Sequence, residues 1–263
     1  MRRIGERIIS FDLDMTLLDH KTMEIPQSAM ETVERLKQDS IVVLGSGRNM
    51  DGYDSRRYRD LVSPHAIIHL NGSKVEADHT VIYEHFMDKN CLFRLLKYAE
   101  NRGIIVGTSI GEYDYYTHPG RMIEMDKKRW GDRNHIFRNA RCLLDLPVHT
   151  LTCFGRPEQV RELQQQFKEL KFPLFVGGTG ADIVELQVSK AVGLKYLCKY
   201  YGINPRDTIA FGDSMNDYEV VREAGIGIAM GNAVEELKNA ADYVADDIDK
   251  DGIWKICREL NLI

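Results

Sequence analysis

Two apolar segments far apart in this chain run into the same kind of ending. Residues 7–13 carry Ile8, Ile9, Phe11 and Leu13, and within Phe11-Asp12-Leu13-Asp14-Met15-Thr16-Leu17-Leu18 they place two acids two residues apart. Near the other end of the chain, Phe211-Gly212-Asp213-Ser214-Met215-Asn216-Asp217 closes a second apolar run with two more. A buried strand rarely ends in paired carboxylates by chance, and open α/β sheets gather their ligands at the carboxyl ends of their strands. Taken singly, each segment has a plainer reading, with Asp14 or Thr16 capping a following helix and Asp217 serving as a helix N-cap after a turn.

The surrounding pattern is that of a parallel sheet. After the strand at 7–13, an amphipathic helix over 27–37 opens at Pro26. A short β-branched run at 41–44 breaks at Gly45-Ser46-Gly47-Arg48, a third strand at 66–70 closes on Asn71-Gly72, and 74–83 reads as hairpin arms. This βαβαβ alternation implies right-handed crossovers. From 84 to about 182 the texture changes: helix-like 89–101 and 157–168 alternate with strand-like 103–109, 148–154 and 174–177, as in an inserted α/β module. Its middle, 113–139, is rich in Tyr, His, Arg and Asp without clean periodicity and reads as long loops or short helices. The first texture returns after 185, with helices at 191–201, 217–224 and 234–239 and strands at 208–212 and 227–229. No internal repeat or low-complexity tract appears.

With 263 residues the chain exceeds one average domain of roughly 100–200 residues, which fits a core plus one insertion. A net charge of −5 argues against a nucleic-acid partner, which would call for a basic face. The apolar stretch after Arg2 and Arg3 is broken by Glu6, Arg7, Ser10 and Asp12, so no secretory signal is read there, and no run approaches the ~18 apolar residues of a membrane span. Cys91, Cys142, Cys153, Cys198 and Cys257 are odd in number and widely spaced, which fits neither a disulfide framework nor a zinc knuckle. A soluble protein of the reducing cytoplasm is expected.

If the strands bearing Asp12 and Asp213 are neighbours, Asp12, Asp14, Asp213 and Asp217 converge in one crevice. At an effective dielectric near 20, each close pair at ~4 Å costs about 4 kcal/mol, so the site must raise some pKa values or recruit a cation. An all-oxygen cluster of this kind suits Mg²⁺. A phosphate dianion entering it would need a cationic side chain as well, and Lys190, between an apolar strand-like segment and a helix, is the candidate, although a lone Lys at a helix start is usually only solvated. Ser46 and Gly47, where a strand gives way to a helix, offer a hydroxyl and a backbone N–H to phosphate oxygens. Gly45-Ser46-Gly47 lacks the third glycine of a dinucleotide fingerprint, and Gly177-Gly178-Thr179-Gly180 lacks the Lys of a P-loop and reads as a turn.

Together these segments resemble the haloacid dehalogenase (HAD) superfamily of phosphatases, specifically its Cof-like branch. The matching motifs are Asp12-x-Asp14-x-Thr16, Ser46-Gly47-Arg48, Lys190 after the insertion, and Gly212-Asp213-x-x-Asn216-Asp217, with further matches at Asn71-Gly72, Ala229-Met230-Gly231-Asn232-Ala233 and Asp251-Gly252. Met15 departs from the pattern, since the family commonly has Gly there. The resemblance implies an α/β fold, with a Rossmann-like parallel-sheet core at 1–83 and 184–263 and a C2-type α/β cap at 84–183.

It also implies a mechanism. Asp12 would attack phosphorus, and Asp14 would protonate the departing alcohol and then deprotonate the hydrolytic water, so the pKa of Asp14 is expected to be raised. Mg²⁺ would be held by Asp12, the main-chain carbonyl of Asp14, and Asp213, with Asp217 orienting its waters. Ser46, Gly47, Lys190 and Asn216 would grip the phosphoryl group. The substrate would be a small phosphorylated metabolite, a sugar phosphate or phosphorylated cofactor, chosen by the cap, where Tyr113, Tyr115, Tyr116, His118, Arg121, Lys127, Arg129, Trp130 and Arg133 are pocket candidates. A phosphotransferase or phosphomutase on the same scaffold, and a receiver-like phospho-Asp switch, remain alternatives.

Overall fold

The computed structural model describes residues 5–131, 135–175 and 177–263. The chain forms two compact units, one made of the residues through Glu84 together with Val188–Ile263 and the other of His85–Gln187.

In chain order, the first unit begins with β1 (Ile8–Asp12), α1 (Gln27–Leu36), β2 (Ile41–Gly45), α2 (Tyr53–Val62), β3 (Ala66–His69), β4 (Lys74–Ala77) and β5 (Thr80–Glu84). Pro26 presets the backbone at the start of α1, which buries Ala29, Thr32, Val33 and Leu36 on one face. Strands β1, β2 and β3 are buried along their whole length, as the near-continuous apolar runs require for strands covered on both faces.

The inserted unit contains α3 (Lys89–Asn101), β6 (Ile105–Ile110), β7 (Tyr113–Tyr116), α4 (Pro119–Trp130), β8 (Ile136–Asn139), β9 (Leu151–Phe154), α5 (Pro157–Gln166), β10 (Leu170–Lys171) and β11 (Gly180–Glu185). Here the structure corrects the reading of 113–139 as loops or short helices. β7 pairs antiparallel with β6 and parallel with β8, and α4 runs for three turns from Pro119. The strand was hidden because Tyr113, Asp114, Tyr115 and Tyr116 lack apolar alternation, although Tyr115 and Tyr116 are buried. The strand expected at 174–177 shrinks to a bridge between Leu174 and Ala181, and the chain turns at Gly177 and Gly178, both at positive φ.

The first unit then resumes with α6 (Lys190–Tyr201), β12 (Thr208–Gly212), α7 (Tyr218–Glu223), β13 (Ile226–Ala229), α8 (Glu235–Lys238), β14 (Tyr243–Val244) and α9 (Gly252–Glu259). Among the described residues its sheet runs β14-β13-β12-β1-β2-β3-β4-β5, parallel from β14 to β3 and closed by the antiparallel β4 and β5. β1 lies between β12 and β2, in register Phe11 with Phe211 and Asp12 with Gly45, and the Phe11 and Phe211 rings stack at 4.6 Å. The strand order therefore reverses beside β1, which makes its carboxyl end the switch point of the sheet. A separate sheet in the inserted unit runs β10-β11-β9-β6-β7-β8. Among the described residues no helix is long and apolar enough to cross a membrane.

Candidate active site

Because β2, β1 and β12 are adjacent and parallel, their carboxyl ends deliver Ser46, Asp12 and Asp213 to one place. Lys190, 178 residues beyond Asp12, enters as the first residue of α6. Its helix start is set by Ser189, whose side chain accepts from the Val192 amide, and by Gly72, at φ +97°, where a Cβ would stand 2.0 Å from the Ser189 carbonyl. Only glycine permits that approach.

The Lys190 ammonium donates to Asp12 Oδ1 at 2.6 Å and to Asp217 Oδ1 at 2.7 Å, and none of the three is more than 5% exposed. Asp217 Oδ2 accepts from the amides of Asp213, at 3.1 Å, and Ser214, at 3.3 Å. Asp217 thus ties the end of β12 to Lys190. Gly212 makes room for this, since a Cβ there would lie 2.4 Å from that of Asp217.

Burial pushes the Asp12 carboxyl up to about 8, with Asp217 and Asp14 adding to the rise and Lys190 opposing it. Burial likewise raises Asp213 to about 9, with Asp12 and Asp217 contributing. Burial works against the charge on Lys190, but its two carboxylate partners outweigh it and hold its pKa above the usual value. One ammonium therefore does not neutralise the crevice.

Asp14 departs from expectation. Burial alone would raise it, but a hydrogen bond from His20 and the Arg48 guanidinium hold it at about 2. Arg48 Nε donates to Oδ2 at 2.7 Å and Nη2 donates to Oδ1, while His20 Nε2 donates to Oδ1 at 2.7 Å. The expected rise of Asp14 is thus corrected: the His20 hydrogen bond and the Arg48 guanidinium stabilise the carboxylate.

Ser46 is fully buried, with its amide donating to the Ile68 carbonyl and its Oγ accepting from the Arg48 amide. Asn216 Nδ2 donates to Asn71 Oδ1 at 3.0 Å, and its Oδ1 accepts from Ser214 Oγ. Asn71 in turn donates its amide to the Ser46 carbonyl. Asn232 Nδ2 donates to the Met15 carbonyl, and Met15 holds a left-handed φ of 60° where glycine would be unstrained.

Asp12, Asp213 and Asp217 each place a carboxylate oxygen within 4.8 Å of the other two, and all three are buried. These are hard oxygen donors in a charge-deficient crevice, and they fit Mg²⁺. The Asp14 carboxylate is not part of this group. A second cluster, Asp51, His69 and Glu76, does not make a metal cage. The Met50 amide donates to His69 Nδ1, so Nε2 carries the proton and the cluster keeps no imidazole lone pair for a metal.

In the inserted unit, Tyr115 and Tyr116 are interior residues rather than pocket lining. Arg121 Nη1 donates to the Gly103 carbonyl just past α3, the Tyr113 ring stacks under Arg138, and His118 stands at the N-cap position of α4 without a side-chain capping bond. Arg133 and the side chains of Arg129 and Trp130 lie outside the described residues. Sequence reasoning missed the parts played by Arg48 and His20. Arg48 adjoins a motif that was noticed, whereas His20 stands in an irregular loop with no pattern to mark it.

The fold and site define an α/β protein with a buried carboxylate cluster at the switch point of its sheet. The chain belongs to the haloacid dehalogenase-like hydrolase family, whose model matches residues 9–256. It is 29% identical to YkrA of Bacillus subtilis over 99% of this chain and 100% of that protein. It is 26% identical, over 96% of each chain, to the 5-amino-6-(5-phospho-D-ribitylamino)uracil phosphatase YitU of Bacillus subtilis. Among solved structures it resembles the HAD subclass IIB sugar phosphatase BT4131, with a TM-score of 0.86 and 25% identity over 98% of this chain and 100% of that one.

Proposed function

We propose that the protein is a Mg²⁺-dependent phosphatase that hydrolyses a small phosphorylated metabolite, a sugar phosphate or a phosphorylated cofactor, through a phosphoryl-Asp12 intermediate. The observation that carries this reading is the buried Asp12, bonded to Lys190 and grouped with Asp213 and Asp217 at the switch point of the sheet. Phosphate-monoester hydrolysis is the activity of the family members it resembles, and two of these similar proteins are named for substrates of this kind.

Asp12 supplies the nucleophile. Its Oδ1 is held by Lys190, and among the described residues its Oδ2 has no hydrogen-bond partner and is available to bond phosphorus. As that bond forms, the bond from phosphorus to the substrate oxygen breaks, and the departing alkoxide takes a proton from Asp14, which must bind that proton as the phosphate's negative charge enters beside it, because the resting carboxyl is held at about 2. Water then attacks the phosphoryl-Asp12, Asp14 accepts its proton, and phosphate and free Asp12 result. A cation held by Asp12, Asp213 and Asp217 would supply neutralisation of charge on the phosphoryl oxygens. Lys190 contributes a permanent positive charge, and Ser46, Gly47 and Asn216 are assigned to the same group. The inserted unit, as the cap, is assigned the choice of leaving group.

The test is phosphate release from a panel of sugar phosphates, nucleotides and phosphorylated cofactors, with Mg²⁺ or with excess chelator, for the wild type and Asp12→Asn. Release that needs both the cation and Asp12 is expected. Release that persists in Asp12→Asn would overturn the mechanism.

A further inference from the structure

The reading of Asp14 as acid and base leaves open what keeps its carboxyl group in place. The backbone around it is well fixed: the amides of Leu17 and Leu18 both donate to the Leu13 carbonyl, and the Met15 amide donates to Leu18. The side chain is not fixed by packing, since 30% of it is exposed. Its orientation therefore depends on hydrogen bonds from Arg48 and His20.

These two partners are not equivalent. Arg48 grips the carboxylate side-on through Nε and Nη2 and so occupies both oxygens. Oδ1 then accepts two hydrogen bonds, from Arg48 and from His20, and Oδ2 only one, so the lone pair left on Oδ2 is the one that can face a leaving group. His20 touches Oδ1 alone, so its bond can persist while Oδ2 does the chemistry.

The His20 main chain is itself anchored. The buried Asp19 donates its amide to the Glu24 carbonyl, accepts from the Met23 amide through its own carbonyl, and accepts from the Lys21 amide through Oδ1. His20 stands on a closed turn six residues past Asp14, while its ring remains 46% exposed.

Resting on the phosphatase reading above, we propose that His20 is a positioning residue that holds the Asp14 carboxyl group by one oxygen while the other serves the leaving group. It acts through Asp14 and does not touch the substrate. Its importance then depends on how much the leaving group needs a proton, which a general structural role would not do. An alkyl phosphate releases a strongly basic alkoxide, whereas p-nitrophenyl phosphate releases a stable phenolate that needs no acid.

The experiment measures kcat/KM for the wild type, His20→Ala and His20→Gln on the best sugar phosphate of the panel and on p-nitrophenyl phosphate, with thermal unfolding run alongside. In His20→Ala the sugar phosphate should lose about tenfold, part of the 10²–10⁴-fold that a positioned acid contributes, while the aryl ester stays within about twofold. His20→Gln keeps an N–H donor and should recover most of the loss. Equal losses on both esters, or none on either, would overturn the proposal while Asp12-dependent release by the wild type still stood. A wild type that cleaves neither ester would overturn the phosphatase reading and this inference with it.

Discussion

Replacing Lys190 by Met tests whether charge or packing holds the carboxylate crevice together. The ammonium bonds to Asp12 at 2.6 Å and Asp217 at 2.7 Å in a place closed to water. Methionine fills much of the same volume but leaves the carboxylates uncompensated, and removing one partner of a buried ion pair costs about 3–5 kcal/mol. A Coulomb estimate agrees, since two carboxylates 4.8 Å apart repel by about 3 kcal/mol at an effective dielectric near 20. In chelator at pH 9 the melting temperature should therefore fall by roughly 10 °C, at about 2–4 °C per kcal/mol for a chain of this size.

The deficit should depend on pH in a definite direction. Asp12 and Asp213 have folded pKa values of about 8 and about 9, well above the usual carboxylate range. Such raised acids favour the folded state fully below the unfolded pKa, and that contribution is lost as pH rises through the folded value. At pH 5 both are already protonated in the fold, so losing Lys190 leaves only its Asp217 contact unmet, and the gap between wild type and Lys190→Met should narrow. Circular dichroism melts at pH 5, 7 and 9 would show it. A melting deficit of the same size at all three would refute the electrostatic argument and leave packing as the cause.

Added Mg²⁺ should raise the melting temperature of the wild type, by about 2.7 kcal/mol of stability at a hundredfold excess over its dissociation constant, and more at pH 9 than at pH 6 because protons on Asp12 and Asp213 compete with it. Asp213→Asn should abolish most of that shift, as thermal melts in Mg²⁺ and in chelator would show. Met15 sits at φ 60°, so urea unfolding should find Met15→Gly within about 1 kcal/mol of the wild type, the relief of strain offsetting the added chain entropy, and Met15→Val destabilised by about 2 kcal/mol. The opposite order would mean that the loop relaxes to negative φ at no cost. Gly72→Ala should force Ser189 and Lys190 apart from the site, given the 2.0 Å approach, and lower kcat more than tenfold, about the effect of misplacing a catalytic group by an ångström or less. Unchanged kcat in that variant would show that α6 can shift without moving the ammonium.

The amino-acid sequence by itself determined the parts that depend on local pattern. Apolar runs of strand length, broken at Gly45 and Gly212 and alternating with helical segments, specify a parallel sheet, and acids at the strand ends mark where chemistry belongs. Asp12, Asp213, Ser46 and Lys190 could be singled out because each stands where one element gives way to the next. The tertiary structure alone decided the relations among them. That Lys190 bonds to Asp12 across 178 positions, and that Asp217 turns its second oxygen to the amides of its own strand end, follows from strand order and helix placement, which no local window contains. The same is true of β7, whose tyrosines lack the alternation of a strand and which is a strand only through its pairing with β6 and β8. Asp14 shows the point most sharply. The role proposed for it comes from the family resemblance, but its charge state depends on Arg48 and His20, and the electrostatics of a carboxyl group are set by the few ångströms around it, whichever part of the chain supplies them.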